Sequence, residues 1–567
     1  MKTMATQLSL LLSNRQNGGN LRLLTKFILV LGLLFLVYTV LFHVLMLYEG
    51  REYSWMTGFY WTLTTMSTLG FGDITFHSDL GRFFSVLVLL SGIVFLLVML
   101  PFTFIQFFYA PWLEKQNKAR APRALSPDIS GHVIITYFDD VAINLIQKLV
   151  SYSIPYVVVV PELQATLDLH DMGYNVVVGE LDDPETYRRL NIDKASMALI
   201  LNDDVTSTNI IFTIREVNDR VATVTNADAE DSVDILELAG STHVFEFSRM
   251  LGEALSRRVL GVSMKANVIG SFDRLLIAEA PVMRTWLQGK TLAEAGLRQA
   301  TGVNVVGLWE KNEFIIPTAQ SRLESSTVLV LAGTESQLEN FDASIGYDAE
   351  GGGNPAPVVV LGGGRVGQSV ARGLEERDVD FRVVEKRAAI AERDTRYICG
   401  NAADRETLDQ AGIKETPCII ITTHKDDLNI YLTIYCRRLR PDAQIISRAS
   451  LDRNINTMHR AGANLVLSYS SLVTSTTMNL LHPQQMLMLS EGLIIFRVTA
   501  TSKFENKPLE QLKIREQTGC SVVALKKHPE FIINPEPDIV LKPGDELVLI
   551  GSAESEKKFT EKFPAAV

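Results

Sequence analysis

Two unbroken apolar stretches stand out from the rest of the chain. Phe27–Tyr48 and Phe83–Phe108 contain no charged residue, and each is long enough to cross about 30 Å of hydrocarbon as a helix. A cleaved leader would show a shorter apolar run and a small-residue cleavage site, so Phe27–Tyr48 reads as a spanning helix. Between the two, Ser54–Ser67 (SWMTGFYWTLTTMS) predicts a short helix, followed by the turn Thr68-Leu69-Gly70-Phe71-Gly72-Asp73. After residue 128 the pattern changes. Short apolar runs (HVIIT at 132–136, MALIL at 197–201, VVVLG at 358–362, CIIIT at 418–422) alternate with segments of helical period. Such alternation predicts α/β domains with parallel, doubly wound sheets.

The later region repeats itself. The segment from Gly179 to Ile192 parallels the one from Gly400 to Ile413, and one offset relates Gly179 to Gly400, Asp183 to Asp404 and Thr186 to Thr407. Ala239-Gly240 answers Ala461-Gly462. Towards the end of each copy, Gly289–Leu292 answers Asn506–Leu509, and Thr301-Gly302 answers Thr518-Gly519. Two copies of one unit are therefore expected, joined by the loose stretch Gly346–Ala356.

Charge adds orientation and excludes one class of partner. Lys2, Arg15, Arg22 and Lys26 precede the first apolar run, and Lys115, Lys118, Arg120 and Arg123 follow the second. The loop between holds Arg51 and Arg82 against Glu49, Glu52, Asp73 and Asp79. Positive flanks stay inside, so both termini are expected to be cytoplasmic in a multi-pass cell (inner) membrane protein. Trp55, Tyr60 and Trp61 suit either the membrane interface or the packing of the short helix. A net charge of −11 without a basic tract argues against nucleic acid. The four cysteines, Cys399, Cys418, Cys436 and Cys520, are too widely spaced for a zinc site and read as reduced, buried thiols.

The candidate chemistry lies in two glycine patterns. In the second copy a strand runs into Gly362-Gly-Gly364-Arg365-Val-Gly367, a helix follows, and the next strand ends at Glu385. A tight turn, backbone near phosphate, helix amides facing an anion and an acid for ribose hydroxyls form the dinucleotide fingerprint. The matching positions of the first copy are Thr136, Phe138 and Val141, whose side chains would obstruct phosphates; no dinucleotide is expected there. The other pattern is the turn at residues 68–73. Gly70 and Gly72 permit the dihedrals that aim successive carbonyls to one side. Rings of such carbonyls can replace the water around a dehydrated cation.

The run TTMSTLGFGD between two spanning helices resembles the signature of potassium channels, with departures at Leu69 (usually Val), Phe71 (commonly Tyr) and Ser67 (commonly Thr). The resemblance implies that Thr68, Leu69, Gly70 and Phe71 coordinate K⁺ and that Gly72 and Asp73 complete the filter. It also implies a homotetramer in a lipid bilayer. Gly92 matches a hinge glycine of relatives, with helix packing as the alternative. Leu96, Leu97 and Leu100 are candidates for an apolar gate, and Pro101 for a bend. The duplicated region resembles tandem RCK (KTN, TrkA-type) domains, eight of which would form one ring per tetramer.

That resemblance sets the boundaries: N-terminus 1–26, pore 27–108, linker 109–128, first RCK domain 129–345 (Rossmann 129–270, C-terminal α+β lobe 271–345), linker 346–356, and second RCK domain 357–567 (Rossmann 357–485, lobe 486–567). It implies NAD, ADP or ATP as a regulatory ligand at Gly362, Gly364, Arg365, Gly367, Glu385, Asn401, Ala402 and Arg448. It further implies a Ca²⁺ site at Glu180 and Asp228, near Asp231 and Asp234, unless those acids are solvated surface. The expected function is a ligand-gated K⁺ channel without catalytic residues. The alternatives are a membrane-anchored NAD-dependent oxidoreductase using His424, and a regulatory subunit of a separate K⁺ transporter.

Overall fold

A computed structural model of the chain describes residues 18–109, 112–113, 120–259, 266–282, 285–310, 313–324, 327–345, 356–392, 394–482, 486–489, 493–501, 504, 507–527 and 530–563. Most of the expected N-terminal segment, part of the 109–128 linker and nearly all of the 346–356 linker lie outside the described residues. So do Lys2, Arg15, Lys115 and Lys118. Two compact units result, one built on the N-terminal helices and one on the α/β region.

In the first unit, helix α1 runs Gly18–Tyr48, α2 runs Trp55–Met66, and α3 runs Asp79–Gly92. The chain continues from α3 through a π-helical stretch, Ile93–Met99, and a further α-helical turn, Leu100–Phe104. The spans Thr25–Tyr48 and Asp79–Phe107 are both long and apolar enough to cross a membrane. Ser54 starts α2, its hydroxyl accepting the Thr57 N–H at 3.2 Å. Tyr38, Phe42, Met46, Trp61, Phe76 and Phe84 form the buried aromatic-rich core between these helices. Trp61 belongs to that core, and its indole N–H donates to the Ile74 carbonyl at 3.2 Å. Trp55 is exposed and stacks on His43.

The second unit holds the repeats. The first copy supplies strands β1 (Val133–Ile135), β2 (Tyr156–Val160), β3 (Val176–Val178), β4 (Met197–Ile200), β5 (Ala222–Asn226) and β6 (His243–Phe245). They form a parallel sheet of order β3-β2-β1-β4-β5-β6. A lobe follows, in which β7 (Asn267–Phe272), β8 (Leu275–Pro281), β9 (Asn304–Glu310), β10 (Glu313–Ile315) and β11 (Val328–Gly333) make an antiparallel sheet. Because β7 crosses position 270, this lobe begins before the division expected at 270/271.

The second copy repeats the plan. Strands β12 (Val358–Leu361), β13 (Phe381–Glu385), β14 (Tyr397–Cys399), β15 (Cys418–Ile421), β16 (Gln444–Ala449) and β17 (Leu465–Ser468) are ordered β14-β13-β12-β15-β16-β17. Its lobe contains β18 (Met486–Met488), β19 (Leu493–Thr499), β20 (Ser521–Lys527), β21 (Glu530–Ile533) and β22 (Glu546–Ser552). The doubly wound reading holds for both copies. The repeated glycine–threonine pairs have a packing cause: a methyl on Gly179 would overlap the Thr186 side chain, and one on Gly400 that of Thr407. Cys418, Cys436 and Cys520 are buried as expected. Cys399 is not: it is exposed at the end of β14, an edge strand of the sheet.

The copies also exchange helices. Label α4 Asp140–Ser151, α5 Asp204–Val217, α6 Phe247–Ser256, α7 Arg365–Glu375, α8 Asp426–Leu439 and α9 Tyr469–Leu481. Helix α6, at the end of the first Rossmann domain, packs on α7 of the second, and Leu251 and Leu255 enter the second domain's core beside Val358 and Val360. Reciprocally, α9 packs on α4, where Val473 meets Val141 and the Asn144 amide donates to the Ser470 hydroxyl at 2.7 Å. Gly252 and Gly373 allow the first of these contacts. A methyl on Gly252 would overlap Ser369 and the Val366 carbonyl, and one on Gly373 would overlap Ser256.

Candidate functional sites: the pore loop and the glycine-rich cleft

The loop after α2 alternates in handedness. Thr68, Gly70 and Gly72 have φ values of +62°, +43° and +76°, with Leu69 and Phe71 between them outside the left-handed region. Glycine adopts such angles freely, whereas threonine incurs a steric cost of roughly 1–2 kcal/mol. Sequence alone anticipated the two glycines and missed Thr68. The amides of Leu69 and Gly70 both donate to the Thr64 carbonyl, at 2.9 and 3.1 Å, tying the loop to the last turn of α2. Residues 68–73 are exposed in the single chain.

Behind the loop lies a set of braces. Arg51 donates to the Thr75 carbonyl at 3.0 Å. The Glu49 carboxylate accepts the Ser78 hydroxyl at 2.6 Å, the Ser78 N–H at 2.8 Å and the His77 N–H at 3.1 Å. Ser78 in turn caps α3 by accepting the Gly81 N–H. The Ser78 hydroxyl, followed by its backbone amide, holds the Glu49 carboxyl down at about 2.

Gly92 lies against the end of α2, where a methyl would overlap the Met66 carbonyl. Leu97 and Leu100 are exposed and Leu96 is half-buried. Leu97 lies within the π-helical stretch, and Pro101 enters the α-helical turn just beyond it, where a missing N–H is tolerated.

The second site is a cleft of about 620 Å³ at the C-terminal edge of the second parallel sheet. Gly362, Gly364, Arg365, Glu385, Asn401, Ala402 and Arg448 line it, seven of the eight expected residues; Gly367 does not. Gly362 has φ +110°. Gly367 sits beneath the turn, where a methyl would overlap the Gly362 carbonyl, so its role is close packing of helix on strand. Gly364 begins α7 without any side-chain cap, which leaves that helix terminus open to an anion.

Glu385 accepts the Gly363 N–H at 2.7 Å, and its other oxygen accepts the Arg387 backbone N–H at 2.9 Å and Nε–H at 2.8 Å. Burial pushes its carboxyl up, but the Arg387 and Gly363 hydrogen bonds outweigh burial and hold it below the usual range. Arg448 is largely enclosed, with its guanidinium over the Tyr469 ring, and its buried Nε–H has no hydrogen-bond partner. Burial pushes its pKa down, though an arginine stays charged. Lys386, Arg387 and Tyr469 also line the cleft, as does His424 at its exposed rim; the fingerprint motif does not reach the first three.

The first copy is built differently at the corresponding turn. The Thr136 hydroxyl donates to the Asn202 side chain at 2.7 Å, and the Phe138 ring meets Tyr174 edge-on. Asp139 caps α4 by accepting the Ala142 N–H at 2.8 Å, so a carboxylate occupies the helix terminus that a phosphate would use. Glu180 follows β3 and Asp228 follows β5. Asp228 is committed elsewhere: Arg365 lies 2.5 Å from its carboxylate, and the Asn226 amide donates to the same oxygen at 3.0 Å. Among the described residues no group of three His, Cys, Asp or Glu side chains is placed to hold a metal ion.

A pore segment of two apolar helices, followed by two Rossmann–lobe copies of which one has an open phosphate cradle, defines a channel with a duplicated regulatory region. Family models agree. An ion channel model matches residues 27–109, the TrkA-N domain matches 133–246 and 358–469, and the TrkA-C domain matches 277–346 and 493–563. A solved structure described as "GsuK channel bound to NAD" is 34% identical and covers 96% of this chain and 99% of its own, with a TM-score of 0.57. A second, described as "GsuK Channel", is also 34% identical, with a TM-score of 0.58. "Probable potassium channel protein 2" of Methanocaldococcus jannaschii is 28% identical over 221 residues; the chain spans 64% of that relative's length. The protein belongs to the family of potassium channels that carry tandem RCK domains.

Proposed function

We propose that four copies of this chain form a K⁺ channel gated by a nucleotide bound in the cleft of the second RCK domain. The alternating positive φ at Thr68, Gly70 and Gly72 supports the ion pathway, since it presents the carbonyls of residues 68–71 as a potential coordinating surface. One chain leaves that surface exposed, and a ring of four would close it. The termini lie on the cytoplasmic side, consistent with the positive flanks.

One observation carries the ligand reading: the buried Arg448 Nε–H without a partner, in a cleft that also holds an uncapped helix terminus. A buried, unpaired donor is costly unless something supplies an acceptor. A pyrophosphate fits. The α7 amides and Arg448 would hold the phosphates, the Gly362–Gly364 turn would lie against them, and Glu385 with Asn401 would face the ribose. The relative described as bound to NAD supports a dinucleotide of this kind. Binding gates the pore only if the ligand prefers one ring shape, which must alter the pull on the second spanning helix near Leu97, Leu100 and Pro101. Ca²⁺ at Glu180 and Asp228 forms no part of this reading, because Asp228 is already engaged by Arg365.

The test is K⁺ flux into liposomes containing the purified full chain, with and without NAD⁺. Flux that depends on the protein and changes with NAD⁺ is expected. Vesicles impermeable to K⁺ under both conditions would overturn the channel reading.

A further inference from the structure

Helix α4 of the first copy has a different neighbour at each end. Its first residues, Asp140 and Val141, line the cleft of the second copy together with the capping Asp139. The helix is 12 residues long, a rise of about 18 Å, and Tyr152 follows its last turn. There the Tyr152 hydroxyl donates to the Glu556 carboxylate at 2.5 Å, a contact between residues 404 positions apart. Lys148, one turn earlier, holds its ammonium 5.6 Å from the centre of the Tyr152 ring. All three side chains are half-buried. Burial pushes the Glu556 carboxyl up and the Lys148 ammonium down. In such surroundings a hydrogen bond to a carboxylate is strong and directional.

Glu556 stands on the last helix, α10 (Ala553–Lys562), which is fixed to the second lobe by the buried Phe559 against Phe496 of β19. The two lobes share one core, in which Leu275, Ile277 and Val330 of the first meet Ile495, Val523 and Val548 of the second. The exchanged helices tie the two Rossmann domains together in the same way. The Tyr152–Glu556 bond therefore links the lobe pair to the Rossmann pair, at the far end of the helix whose first turn walls the cleft. Resting on the nucleotide reading above, we propose that this bond is the joint through which a ligand in the cleft acts on the lobe pair: occupancy displaces α4, and Tyr152 carries Glu556 and α10 with it. Tyr152 and Glu556 are positioning residues, since neither lines the cleft. Coupling between sites is reciprocal, so the bond that passes on occupancy also favours binding, by holding the wall of the cleft in place.

The full chain, purified as its assembly in detergent, is titrated calorimetrically with NAD⁺, and K⁺ flux is measured in liposomes with and without saturating NAD⁺. Tyr152→Phe and Glu556→Ala are each expected to weaken NAD⁺ binding about three- to tenfold. Each is also expected to bring the ratio of flux with saturating NAD⁺ to flux without it closer to one. The double variant is expected to match the single variants, because both remove the same bond. Glu556→Gln keeps an acceptor for the Tyr152 hydroxyl and is expected to stay within about twofold of the unaltered protein in NAD⁺ affinity. A lower melting temperature in Tyr152→Phe with unchanged affinity and flux ratio would mark a merely structural contact and overturn the inference. So would single-variant effects that add in the double variant. Failure of NAD⁺ to bind the unaltered protein would instead overturn the proposed ligand site, and this joint with it.

Discussion

Arg448 carries a largely buried charge whose Nε–H has no hydrogen-bond partner. Its replacement therefore has two opposite consequences. Arg448→Met removes a buried donor without a partner, and the ligand-free protein is expected to melt at a higher temperature, by an equivalent of about 1–3 kcal/mol. The same change should weaken NAD⁺ binding about 30-fold or more, so that NAD⁺ no longer raises the melting temperature. Thermal melts with and without NAD⁺ check both halves. Gly92 separates its two readings as cleanly. If it is a packing residue, Gly92→Ala forces a methyl into the Met66 carbonyl and costs about 1–3 kcal/mol, read as a lower melting temperature of the assembly. A hinge role alone would change channel open probability and leave the melt untouched. At this scale the sequence showed the glycines and Glu385, because a motif keeps its members close along the chain. It did not show that Asp228 grips Arg365, because those partners are 137 positions apart and meet only through the fold.

At the scale of elements, the short helix and its loop were legible from the run Ser54–Ser67 and the two glycines after it, whereas the capping roles of Ser54 and Ser78 emerge only in the structure. The brace by Glu49 was hidden, since nothing near that residue announces a partner at the start of α3. Its hydrogen bonds depress the carboxyl, so the brace contributes fully above the ordinary glutamate range and is lost as the pH falls towards about 2. A pH of about 5 should therefore leave the loop intact in the unaltered protein. Glu49→Gln is expected to lower the thermal stability of the assembly at neutral pH and to remove the acid-dependent loss below about pH 4. Melts across that pH range measure this. The contrast between α4 and α7 belongs here too. Both begin after equivalent strands, yet Asp139 closes one terminus and Gly364 leaves the other open, a difference visible in sequence once the copies are aligned.

Across the whole molecule, the duplication was readable but the exchange of α6 and α9 was not. Amphipathic helices declare a buried face without declaring whose core will cover it, and the clue linking the two copies was the pair Gly252 and Gly373. Gly252→Val is expected to separate α6 from α7 at a cost of about 1–3 kcal/mol, lowering the melting temperature and exposing the intervening chain to protease. Limited proteolysis of the intact protein checks it.

The exchange also gives the nascent polypeptide a timetable. Residues 247–256 leave the ribosome long before α7 exists to receive them, and α4 waits for residues 469–481, an interval on the order of tens of seconds at ordinary elongation rates. During that wait the amino-terminal half presents a greasy, incomplete surface. Severing the gene at the joint between the halves would thus yield two fragments that each need the other in order to mature.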